Sequence, residues 1–124
     1  MSTVVDIPLP YGATFVGDGT RNPKLAEYHP RQQSDAALWL TPGPCRVAAS
    51  WEGAEEVSIR LNNVATGQTR DLATIPEKSG GGSRSVMVTV GAVQSDRVYL
   101  DAGSRRTLPA GVVGTLEVFP TNIE

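Results

Sequence analysis

Hydrophobic and polar positions alternate with a period of two over most of the chain after residue 36. Cys45, Val47, Ala49 and Trp51 alternate with Arg46, Ala48, Ser50 and Glu52. Val57, Ile59 and Leu61 alternate with Glu56, Ser58, Arg60 and Asn62. The same rhythm recurs at Val86–Val90, Val98–Leu100 and Leu116–Val118. Successive side chains of a strand point to opposite faces, so each run predicts a strand with one buried and one wet face. Residues 36–40 and 70–75 predict shorter strands. Turn chemistry separates the runs. Trp51-Glu52-Gly53-Ala54 predicts a tight hairpin and Asn62–Gln68 a longer one, while Gly80-Gly81-Gly82 and the stretch from Ala102 to Gly111 predict loops. Short, regularly spaced strands predict about eight antiparallel strands in an all-β chain. The expected fold is a single antiparallel β-sandwich of jelly-roll type. An immunoglobulin-type sandwich is the alternative, although its Cys…Trp…Cys spacing is missing.

Residues 1–35 do not share this rhythm. Pro8, Pro10, Pro23 and Pro30 interrupt helix and ladder alike. The reading is an extended Pro-rich N-terminal arm over 1–35, carrying short strands at Val4–Ile7 and Ala13–Val16, ahead of a β-sandwich domain over 36–124. Apolar residues in the arm argue against simple disorder. Val5, Ile7, Leu9, Tyr11, Phe15 and Tyr28 are therefore its candidate interface residues.

Composition narrows the function classes. The chain has 124 residues, enough for one domain. Thirteen Gly and nine Pro leave it below the low-complexity range, and 40% hydrophobic content can supply a core. One Cys, Cys45, excludes an intrachain disulfide, and one His excludes a Cys/His metal module. Cys45 lies in an apolar run and reads as a small core residue. Net charge is −2, and the only adjacent basic pair is Arg105-Arg106, so the footprint for nucleic acid is missing. No apolar run reaches the 18 residues that would span a bilayer, and the first residues lack a signal-peptide pattern. The basic residues are nine Arg and two Lys, a bias that suits protein interfaces and equally a GC-rich genome.

Candidate chemistry is sparse. His29 sits between Tyr28 and Pro30, near Ser34 and Asp35, in a polar loop rather than a recognisable triad. Glu55 and Glu56 are adjacent and point to opposite faces if extended. Asp96 and Asp101 flank a strand, and carboxylates from different strands could converge as in a glycosidase. A solvated β face is the simpler reading. Gly17-Asp18-Gly19 and Gly80–Ser83 fit neither dinucleotide nor phosphate loops, and no calcium-loop ladder is present. No catalytic, cofactor-binding or metal-binding residue is assigned. Trp39, Trp51 and Tyr99 are the residues that a glycan-stacking face would use.

The run from Asp35 through Leu38-Trp39-Leu40-Thr41-Pro42-Gly43-Pro44 to Trp51-Glu52-Gly53-Ala54 resembles small structural proteins of tailed bacteriophages. Val57–Leu61 and Leu108-Pro109-Ala110-Gly111 through Phe119-Pro120 look similar to the remaining strands of such domains. The likeness covers residues 35–120 and is one of turns and strands, so it transfers no functional residue. The long arm departs from a minimal domain of this kind. The resemblance implies a capsid decoration or cement protein on the exterior of a phage head. It implies a homotrimer, the major capsid protein as partner, and neither enzymatic activity nor cofactor. The alternatives are a carbohydrate-binding or adhesion module of fibre type, and a small hydrolase built on Asp96 and Asp101.

Overall fold

A computed structural model describes residues 10–26, 31–34, 36–40, 43–90, 96–103 and 106–120. Among them are ten strands: β1 (Tyr11–Val16), β2 (Lys24–Leu25), β3 (Gln32–Ser34), β4 (Ala37–Trp39), β5 (Gly43–Trp51), β6 (Val57–Asn63), β7 (Thr69–Ile75), β8 (Gly82–Val90), β9 (Asp96–Asp101) and β10 (Val113–Pro120). One sheet has the order β2-β1-β10-β5-β8, which we call sheet A. Sheet B has the order β3-β4-β9-β6-β7. Every pairing is antiparallel.

The pairings β1–β10, β4–β9, β5–β8 and β6–β7 are nested. The chain thus behaves as one long double ribbon whose tip is the β6–β7 hairpin. Lateral pairing of β10 with β5, and of β9 with β6, rolls that ribbon into two packed sheets. This is the jelly-roll sandwich that the alternation predicted.

The alternation also sets the core. Cys45, Val47, Ala49 and Trp51 face inward from sheet A and meet Val57, Ile59, Val98 and Leu100 from sheet B. The phase is corrected once. A bulge between Ile59 and Arg60 leaves Leu72 unpaired on β7. Without that extra residue, Arg60 would face Leu72 and Asp71 would turn toward the core. With it, Leu72 packs against the core and Asp71 stands beside Arg60 outside.

Two sequence expectations change. The segment 52–56 is not a hairpin. Trp51 ends a sheet A strand and Val57 begins a sheet B strand, so 52–56 is an arch between layers. Nor does residue 35 mark the edge of the sandwich. Tyr11–Val16 pairs along its whole length with β10, and β2 and β3 extend the two sheets. Phe15 is buried in the domain's own core, because its position in β1 aligns it with the inward row of β10. The expected strand Val4–Ile7 lies outside the described residues, as do Val5, Ile7, Leu9, Tyr28, His29 and Asp35.

Cys45 is fully buried, and burial pushes its thiol up from its ordinary value. A protonated, inaccessible thiol is a poor nucleophile. The folded protein is expected to resist a disulfide-exchange reagent over hours and to titrate one thiol per chain in urea. Rapid native labelling would contradict this burial.

Candidate functional site

The loop over residues 17–23 connects β1 to β2 and is stitched to the far end of the chain. Gly17 N–H donates to Val112 O, Gly19 N–H to Leu108 O, and Leu108 N–H to Thr20 O. Ala102 N–H donates to Arg21 O, and Asn22 Nδ2 to Leu100 O at 2.8 Å. These bonds bring Arg21 over the end of β9, onto Asp101.

Asp101 is only 3% exposed and is the best-connected polar group described. Its Oδ1 accepts from Arg21 Nε at 2.8 Å and from Gly103 N–H at 3.0 Å. Its Oδ2 accepts from Arg21 Nη2 at 2.7 Å and from Arg60 Nη1 at 3.3 Å. Arg60 Nε lies 3.1 Å from Asp71 Oδ1, without hydrogen-bond alignment. Burial works against the Asp101 charge. The hydrogen bonds and charge of Arg21, the Gly103 N–H and Arg60 outweigh it and hold the carboxyl below its ordinary value of 3.8. The same carboxylate raises the Arg21 guanidinium further, so the pair stays ionised.

The pleat arranges the outer face of sheet B in rows. Trp39, Arg97, Asn62 and Thr69 form one; Ala37, Tyr99, Arg60 and Asp71 form the next. Arg97 Nε donates to Asn62 Oδ1 at 2.9 Å. An open cleft of about 330 Å³ lies here, lined by Arg21, Asn22, Ala37, Arg97, Tyr99 and Asp101.

The outer face of sheet A is built differently. Ala48, Ser50 and Thr115 floor a shallow trough of about 610 Å³. A second hollow of about 380 Å³ continues it over Gly12 and Thr14, sharing Thr115 and Glu117. Ser50 and Thr115 hydroxyls lie 2.7 Å apart and satisfy each other. Arg46 lies over the Phe119 ring at 4.2 Å. Met87 is 54% exposed on β8, which among the described residues pairs with β5 on one side only.

The expected site residues separate on this framework. Tyr11 packs against the domain's own core, donates its hydroxyl to Trp39 O, and carries Arg31 over its ring at 4.8 Å. With Phe15 in the core, these two hold the chain to its own sandwich. The stacking trio loses Trp51, which is 1% exposed because it sits on an inward position of β5. Trp39 and Tyr99 do share the outer face of sheet B, both partly exposed. The carboxylate pairs do not converge. Asp96 and Asp101 lie an odd number of residues apart on β9 and face opposite ways. Asp96 accepts from Asn63 Nδ2 at 2.9 Å. Glu55 accepts from Trp51 Nε1 at 2.9 Å, and Glu56 lies 3.8 Å from Arg106. Among the described residues no group of three His, Cys, Asp or Glu side chains could hold a metal ion. Sequence reasoning missed Arg21, Arg60 and Asn62, because the Asp101 that the two arginines share and the Arg97 that Asn62 holds are remote from them in the chain.

No family model matches the chain, and no curated protein matches it. Solved structures do. The globular domain of a zebrafish complement 1qA protein is 12% identical with a TM-score of 0.59, covering 94% of this chain and 100% of that one. A family 29 carbohydrate-binding module complexed with mannohexaose is 13% identical, covering 89% and 91%, with a TM-score of 0.43. The virus-like particle of the extra small virus of the prawn Macrobrachium rosenbergii is 12% identical, covering 99% and 85%, with a TM-score of 0.23. The last two superpose too loosely to carry an inference. The chain is similar to the complement domain in fold, a jelly-roll β-sandwich.

Proposed function

We propose that this chain is a virion structural protein. In this reading it is a decoration or cement-type subunit, made in a host cytoplasm, that assembles as a homotrimer on a phage head. It binds the major capsid protein and stabilises the shell through protein–protein contacts, with no enzymatic step.

The observation that carries the reading is the outer face of sheet A. Gly12, Ala48, Ser50 and Thr115 line it together with the longer Arg46, Arg84 and Glu117, so another protein can approach the backbone between charged side chains. The Ser50 and Thr115 hydroxyls satisfy each other, which lowers the cost of covering that pair. Among the described residues no strand pairs with the outer edge of β8, and closed symmetry is a common way to cover such an edge. The apolar residues Val5, Ile7 and Leu9 would add contacts between subunits. The turn-and-strand likeness to tailed-phage structural proteins is what favours a phage head as the particle in this reading.

Ala48→Arg places a long charged side chain on the floor of this trough without touching the core. It is expected to weaken self-assembly by at least about tenfold, roughly the effect of one misplaced interface charge. Its circular dichroism and melting temperature should match the parent's. Unchanged assembly by Ala48→Arg would remove sheet A from the interface.

A further inference from the structure

We propose that the cleft on sheet B is a binding site for a carboxylate borne on a sugar ring, with Arg97 as the carboxylate's partner. The cleft lies between Arg21, Ala37 and Tyr99 on the face opposite the sheet A trough, so this site does not depend on the assembly reading.

The first argument is charge. Asp101 is matched by Arg21 and Arg60, Asp71 lies against Arg60, and Asp96 accepts from Asn63. Arg97 is partly buried and pairs with no carboxylate among the described residues. A half-buried guanidinium without a counter-charge is a ready partner for an anion.

The second argument is preorganisation. Arg97 Nε–H is fixed on Asn62 Oδ1. Asn62 is itself fixed, because its Nδ2 donates to Thr69 Oγ1 at 2.9 Å and to Gln68 O at 3.2 Å. The guanidinium plane is therefore set by the β6–β7 hairpin, and the two terminal nitrogens remain for a ligand. A planar fork of that kind matches the two oxygens of a carboxylate. The one other guanidinium in the lining, Arg21, already spends its fork on Asp101.

The third argument is the surround. Tyr99 lies two residues along the same face, and Trp39 stands opposite Arg97 on β4. Aromatic rings beside a charged fork suit a ring with one polar and one apolar face. At about 330 Å³ the cleft is at the small end of the range for small-molecule sites, which favours a single sugar unit over a long chain.

The test is calorimetric titration of the full chain with D-glucuronate, D-glucose and acetate. Glucuronate is expected to bind at least about tenfold more tightly than either, a factor worth about 1.4 kcal/mol. Arg97→Gln should abolish the preference for glucuronate over glucose while leaving the melting temperature unchanged. Should that variant fail to fold, Arg97→Lys keeps the charge and loses the fork, and is expected to weaken glucuronate binding severalfold. Equal binding of glucuronate and acetate would overturn the sugar assignment. Absence of glucuronate binding at about 100 mM, roughly a hundredfold above a millimolar dissociation constant, or full binding by Arg97→Gln, would overturn the site.

Discussion

Trp51→Ala will destabilise the sandwich by about 3–5 kcal/mol, the range for deleting a large aromatic from a packed core. Trp51 is the largest fully buried side chain described. Its indole is seated between two glycines. A Cβ at Gly114 would come within 2.6 Å of Trp51 Cε3, and one at Gly53 within 2.7 Å of Nε1. Gly114 pairs with Trp51 on one side and with Phe15 on the other, so the two largest core rings flank one residue without a side chain. The space left by the indole is therefore bounded by backbone on both sides and cannot collapse. The variant also strips Glu55 of its donor. Trp51→Phe keeps part of the volume and is expected to cost about half as much. Urea titration followed by far-ultraviolet circular dichroism reads both. A loss below about 1 kcal/mol for Trp51→Ala would show that the ring is not a keystone of the core.

Asp101→Ala is the second large effect. At neutral pH it should cost about 2–4 kcal/mol, because Arg60 and the loop carrying Arg21 lose a common buried partner. The figure is set below the range for a fully buried pair, since Arg21 is 42% exposed and solvent screens its share. The pH dependence has a definite sign. The folded-state carboxyl is held below its unfolded value of 3.8, so its contribution is fully present above that value. It is lost as pH falls further, through the depressed folded value. The parent and Asp101→Ala should therefore differ most at pH 7 and converge in strong acid. A difference that grew on acidification would refute this account of Asp101.

These two positions show what the sequence could and could not disclose. Trp51 was in phase with Val47 and Ala49, so its burial followed from local alternation. The same logic located β5 to β10 and the jelly-roll sandwich. It located less near the N-terminus, because β2 and β3 have two and three residues, too few to show a period. It also misassigned the 52–56 arch, since a turn between sheets and a turn within one use the same Gly-rich chemistry. Asp101 was visible as a carboxylate flanking a strand, but its partners were not. Arg21 is 80 residues away in sequence and Arg60 is 41. Only the nesting of strands brings them together, and that is a property of topology rather than of any window. The outer faces had the same limit. Arg97 and Tyr99 were legible as wet positions and Trp39 as a core or core-edge residue, whereas their adjacency required the order β4-β9-β6.

The glycines, so frequent in this chain, have distinct uses. Gly114 and Gly53 make room for one indole. Gly12 would carry a Cβ only 2.5 Å from Leu116 O, so it keeps β1 close to β10 at the edge of the sheet A trough. Asp101, Asn62 and Asn63 are satisfied by side chains from other strands or loops, and small residues line part of the outer face of sheet A. That division of labour is what an assembling subunit needs: a core secured internally and a face shaped for another protein.

In the proposed function this chain is a building part that closes with copies of itself. Multi-angle light scattering of the full chain at tens of micromolar tests it most directly. The account predicts a single species of about 39 kDa, three times the 13.1 kDa chain mass. A single species at 13.1 kDa across that concentration range would contradict it.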